Sequence, residues 1–146
     1  MQMELETASR GSTCVTVDDE PLAHNAFVRS SGIPRENFLS PALSYDELLR
    51  CLTETAEEVR LIITDGDIGD GYHGFDVIDT IAYLQGKRDS LPENLLRFQE
   101  TVDSIRREVT AKTRIIMISG HFHHEDNEYT PYFTSKYPRV NERYAQ

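Results

Sequence analysis

The 146-residue chain is short of positive charge: 15 Lys and Arg stand against 25 Asp and Glu, giving a formal net charge of -10 at pH 7. A nonspecific grip on nucleic acid or anionic lipid is thereby disfavoured, whereas cations and basic protein surfaces suit such a chain. Long apolar runs are missing as well. No stretch approaches the roughly 18 apolar residues of a membrane span, and the opening MQMELETASRGST lacks the basic and apolar regions of an export signal. A soluble, cytoplasmic protein without direct nucleic-acid or membrane binding is expected. Cysteine is scarce: Cys14 and Cys51 have no metal-ligand spacing and read as free thiols, one in a strand and one in a helix. Neither an internal repeat nor a low-complexity tract is present. The length fits one domain of ordinary size, expected over residues 13–146 behind a flexible polar tail at 1–12.

What is present is an alternation of strand and helix signals. CVTV (14–17) reads as a short strand ending at Asp18-Asp19-Glu20, and Pro21 suits the first turn of a helix through Ala26, Phe27 and Val28, stopped at Ser31-Gly32. Asn37-Phe38-Leu39 is a candidate short second strand. Ser44 with Glu47 forms a capping signature ahead of Leu48, Leu49 and Leu52. Val59 to Thr64 reads as a buried strand delivering Asp65 to its carboxyl end. A glycine-rich loop follows, then a helix marked by Phe75, Ile78, Ile81, Ala82 and Leu84. Ser90 with Glu93 opens an amphipathic segment whose Leu95, Phe98, Val102, Ile105 and Val109 recur every three or four residues. RIIMIS (114–119) is an apolar strand, and Tyr132 to Ser135 is expected to be the last. Such alternation predicts a parallel sheet covered on both faces, with ligands outside the carboxyl ends of its strands.

The polar residues gather at those ends: Asp18 and Asp19 after one strand, Asp65 after another, Ser119 after a third and Lys136 after a fourth. Converging carboxylates repel one another, so a divalent cation is their natural occupant, and Mg²⁺ prefers hard oxygen donors while keeping some of its waters. A lysine across the cluster can neutralise a carboxylate or meet a phosphoryl oxygen.

In this order, VTVDDEP, LIITDGDIGDGYHG, IIMISG and YFTSKYP resemble the response-regulator receiver family over most of residues 13 to 138. The resemblance implies a flavodoxin-like fold, a doubly wound five-stranded parallel sheet. It makes Asp65 the phosphoacceptor, Asp18 and Asp19 the acidic pair around Mg²⁺, and the main-chain carbonyl of Asp67 a further metal ligand. Ser119 becomes the phosphate-contacting hydroxyl, Lys136 the ion-pairing lysine and Phe133 the aromatic switch. Gly74 takes the role of the loop glycine, and Gly69 stands near the place of the family's loop proline. The implied partners are a histidine kinase or histidine phosphotransfer protein and a downstream protein target. The chain departs from the family in its longer step from Asp65 to Ser119 and its shorter one from Ser119 to Lys136. An extra or displaced helix at about 92–109 is therefore expected, with reduced fourth and fifth helices. The apolar face of that helix either packs on the sheet or forms a homodimer.

Other readings compete. A calcium loop of the EF-hand type fails because counting from Asp65 puts Asp70 where the loop glycine belongs. A haloacid-dehalogenase-like phosphatase also uses DxD after an apolar strand, but leaves Asp18-Asp19 unexplained. A receiver-like scaffold that signals without phosphorylation would keep the fold alone. His121, His123 and His124, in GHFHHEDNEY, lack structural-zinc spacing and read as a solvated loop, with metal binding or pH sensing as the sharper alternative.

Overall fold

The computed structural model describes residues 13–118. In chain order its elements are β1 (Cys14–Val17), α1 (Ala23–Ser31), α2 (Tyr45–Glu54), β2 (Leu61–Asp65), β3 (Asp67–Gly69), β4 (Tyr72–His73), α3 (Gly74–Leu84), α4 (Gln99–Asp103), α5 (Arg107–Thr110) and β5 (Arg114–Ile118), with 3₁₀ turns at Arg35–Asn37 and Glu93–Phe98. No helix among these residues is long and apolar enough to cross a membrane.

The three apolar runs pair in parallel in the order β1-β2-β5. Val17 lies opposite Thr64, and Asp65 opposite Ile118. The strand expected at Asn37–Leu39 is reduced to two parallel bridges, Cys14 with Phe38 and Val17 with Ala42. Leu39 N–H donates to Cys14 O and Ala42 N–H to Thr16 O, each at 2.9 Å. Pro41, lacking an N–H, stands between these two donors, which suits an edge segment and not a central strand. From β1 the chain thus passes to one edge and returns on the opposite side as β2. That reversal opens a crevice between the carboxyl ends of β1 and β2.

Strand alternation assigns the core. Val15, Val17 and Ile62 face a large cluster with Leu48, Leu49 and Leu52 of α2 and Val77, Ile81 and Leu84 of α3. Cys14, Leu61 and Ile63 face the other way, against Ile33 and Phe27. Ser44 Oγ accepts from Glu47 N–H at 3.1 Å, so Ser44 caps α2 from the side chain. The structure thus shows an α/β fold covered on both faces, with three parallel strands and an edge segment among the described residues. The five-stranded sheet is not reached within them: Tyr132 to Ser135 lies outside the described residues, as do the tail at 1–12 and the expected reduced helices.

Two expectations need correction. The loop after Asp65 holds a separate antiparallel pair, β3 with β4. Asp70 and Gly71 turn it with φ of 56° and 82°, the left-handed pair of a tight hairpin, for which Asp-Gly is a strong signal. The segment 92–109 is not one helix. It runs as the 3₁₀ turn, then α4, then α5, and no side chain caps the turn at its Pro92 end, so the Ser90/Glu93 signature does not operate. Ser104 Oγ donates back to Thr101 O at 2.6 Å, while Arg106 is extended and its guanidinium donates to Thr55 O at 2.7 Å. Those bonds divert the chain from a continuous helix. The apolar face survives the breaks: Leu95, Phe98, Val102, Ile105 and Val109 are all buried in the large cluster, together with Leu91.

Phe98 meets Tyr45 edge-on with centroids 4.9 Å apart, and Tyr72 at 5.7 Å. Truncating it to alanine is expected to destabilise the protein by about 3–5 kcal/mol, as for other buried aromatic side chains, measured by urea denaturation. Sedimentation of the variant under native conditions should match that of the wild type; a lost association with unchanged stability would show the face serving a dimer instead.

Candidate metal centre

The register brings the acidic residues together. Val17 is paired with Thr64, so the next residues, Asp18 and Asp65, leave adjacent strands at the same level. Asp19 follows at once. One carboxylate oxygen from each of Asp18, Asp19 and Asp65 lies within 4.8 Å of the other two. Opposite ligands of a Mg²⁺ bound at 2.0–2.1 Å stand about 4.2 Å apart. The cluster therefore nearly matches one coordination shell, and small side-chain adjustments suffice to close on an ion. Three hard oxygen donors fit Mg²⁺ better than any soft metal.

The three acids differ in setting: Asp18 is buried, Asp65 half-buried and Asp19 exposed. Asp18 Oδ1 accepts from Glu20 N–H at 2.9 Å, and Asp65 Oδ1 from Gly66 N–H at 2.8 Å. Burial pushes the Asp18 carboxyl up to about 6; the Glu20 amide opposes this, and the charges of Asp65, Asp19 and Glu20 add to it. Every one of those side-chain charges is negative. A cation would reverse the balance, since it favours the ionised form that burial penalises.

The hairpin closes over this end of the sheet. At Gly69 a Cβ would come within 3.1 Å of Asp19 Oδ2, so β3 passes directly against that carboxylate. Gly74 begins α3 at a point where a Cβ would stand 2.6 Å from Asp65 O and 2.1 Å from Met117 Sδ. Only glycine fits there. Its N–H donates to Gly66 O at 2.9 Å, tying the foot of the hairpin to the residue after Asp65.

Of the residues expected at the site, Asp18, Asp19 and Asp65 are brought together. Asp67 heads β3 with its side chain exposed and its Oδ1 accepting from Gly69 N–H at 3.1 Å; it is not a member of the side-chain cluster. Ser119, Lys136, Phe133 and the histidines at 121, 123 and 124 lie outside the described residues. Sequence reasoning missed the hairpin, although Asp70-Gly71 signalled it. It also missed the polar link beneath: Asp76 accepts from His73 N–H at 2.8 Å and from Asn94 Nδ2 at 3.0 Å. No family model, curated protein or solved structure matches this chain.

Because the folded state raises the Asp18 carboxyl above its unfolded value of 3.8, its contribution to stability is full below that value and is lost as pH rises through about 6. Asp18→Asn removes this dependence. The variant should therefore be more stable than wild type near pH 7.5 and lose that advantage near pH 4, in urea midpoints without divalent cations. Saturating Mg²⁺ should narrow the gap at the higher pH. Parallel pH profiles for the two proteins would mean that Asp18 is not the strained carboxyl.

Proposed function

We propose that this protein is a phosphoacceptor response regulator or relay component of two-component signal transduction, in which Asp65 receives a phosphoryl group from a histidine kinase or histidine phosphotransfer protein. The observation that carries the reading is the convergence of Asp18, Asp19 and Asp65 at the crevice between β1 and β2. Asp65 ends the central strand, held by the Gly66 amide and only half-buried, so an incoming group can reach it. Asp18 and Asp19 lie to one side as ligands for a divalent cation. Ser119 follows Ile118, the register partner of Asp65, directly in the chain.

In the reaction, one carboxylate oxygen of Asp65 attacks phosphorus in line, the new P–O bond forming as the P–N bond to the donor imidazole breaks. Mg²⁺, when bound by the acidic residues, would supply the charge neutralisation that a transferring phosphoryl group needs. Lys136 is assigned a matching role at the same oxygens. Ser119 and Phe133 are assigned the response: the hydroxyl moves to the new acceptors and the ring repacks, altering the surface read by a downstream protein. This chemistry is a single self-modification with slow reversal, not turnover of a diffusible ester.

Incubation with a reactive small phosphodonor and Mg²⁺ should add one phosphoryl group in intact-mass spectra at neutral pH, mapped to Asp65 after trapping. Asp65→Asn should abolish incorporation while preserving the circular dichroism spectrum. Asp19→Asn should weaken both Mg²⁺ binding and incorporation. Modification at another residue, or multiple turnover of the donor without a stable adduct, would reject the assignment.

A further inference from the structure

The hairpin beside the acidic cluster is gripped along β4 by the segment 92–109. Tyr72 of β4 stacks on Tyr45 of α2, with centroids 5.3 Å apart and planes 22° from parallel, and Phe98 closes on both rings. The guanidinium of Arg97 lies over this group, 4.6 Å from the Phe98 centroid and 5.7 Å from that of Tyr72. One residue further, His73 N–H and Asn94 Nδ2 meet on the two oxygens of Asp76. Asp76 is buried, and its main-chain carbonyl accepts from Thr80 Oγ1, which in turn pairs with the Tyr45 hydroxyl at 2.6 Å. The strand pair is only β3 and β4, five residues in all, and an isolated hairpin of that size has little stability of its own. Its position is set by what holds its two strands.

One strand meets the site and the other meets the segment 92–109, for Gly69 of β3 and Tyr72 of β4 are register partners. Gly69 lies against the Asp19 carboxylate, and Gly74 is tied to Gly66 beside Asp65. Tyr72 and His73 sit between those points and the turn Glu93–Phe98. We infer that this turn is a clamp that sets the height of the hairpin over the acidic cluster, with Asn94 and Arg97 as positioning residues for cation binding. The inference rests on the reading of Asp18, Asp19 and Asp65 as a Mg²⁺ site and adds the control of that site by the inserted segment. Asn94 and Arg97 are themselves exposed. Their removal therefore opens no cavity in the core, which separates positioning from packing. Coupling between two sites is reciprocal, so Mg²⁺ must in turn steady the clamp.

The test uses the full chain and Mg²⁺ alone as the probe. Affinity is measured by NMR titration for the wild type, Asn94→Ala, Arg97→Ala, the double variant, Leu96→Ala and Tyr72→Phe. Leu96 is in the same turn but half exposed, and serves as the control. Asn94→Ala and Arg97→Ala should each weaken Mg²⁺ binding severalfold and the double variant by about tenfold, within the usual range of coupling between sites. Leu96→Ala should bind as the wild type, and Tyr72→Phe, which keeps the stacked ring, should bind nearly as well. Hydrogen exchange at 69–73 and 93–98 should slow with Mg²⁺ in the wild type and respond much less in the double variant. If the wild type binds no Mg²⁺, the metal-site reading fails and the clamp with it. If the wild type binds and the folded double variant binds equally well, the clamp alone is overturned. Should the double variant not fold, the two single variants decide by the same comparison.

Discussion

The acidic end of the sheet depends on the parallel pairing of β1 with β2. Because Val17 is level with Thr64, the chain leaves both strands at one height and delivers Asp18 and Asp65 side by side. A slip of one residue would send one of these carboxyls to the opposite face, since strand side chains alternate. The register is held by burial on both faces: Val15 and Ile62 in the large cluster, Cys14, Leu61 and Ile63 in the small one. Apolar packing therefore enforces an electrostatic arrangement that the carboxylates would not adopt by themselves.

Much of this was legible because strand ends are punctuated in the sequence. CVTV followed by Asp-Asp, and LIIT followed by Asp, each mark an apolar strand with a polar terminus, and their convergence needs only the rule that parallel strands in such folds share a carboxyl edge. The hairpin was less legible for a physical reason. Its strands have three and two residues, too few for any alternation to register, and only the Asp-Gly turn betrays it. The edge segment at 38–42 was half legible: Phe38 was anticipated, but Pro41 limits the pairing to two bridges.

The segment 92–109 shows what periodicity does and does not report. Apolar residues spaced three and four apart correctly marked Leu95, Phe98, Val102, Ile105 and Val109 as one buried face. They did not establish a continuous helix, because a 3₁₀ turn and two short helical pieces can return the same residues to the core. The decisive contacts are side chain to backbone, from Ser104 to Thr101 and from Arg106 to Thr55. The Arg106 partner is far away in sequence, so no local pattern could reveal it.

The segment 91–109 also bears on how the acidic cluster is tolerated. Burial of Asp18 among negative neighbours works against folding at neutral pH, as its raised carboxyl value indicates. Among the described residues the small cluster has four buried members and the large cluster supplies most of the opposing apolar burial. The segment 91–109 supplies six of the large cluster's buried side chains, from Leu91 to Val109. These same residues seat the turn whose Arg97 lies over Tyr72 of the hairpin and whose Asn94 donates to Asp76, the acceptor of His73 N–H. A packing element that compensates for a strained site is thus in mechanical contact with the loop covering it. Any change that loosens the segment 91–109 should act twice, lowering the stability of the fold and releasing the hairpin from beside the carboxylates. Separating those two effects requires changing exposed residues of the turn and leaving its buried face intact.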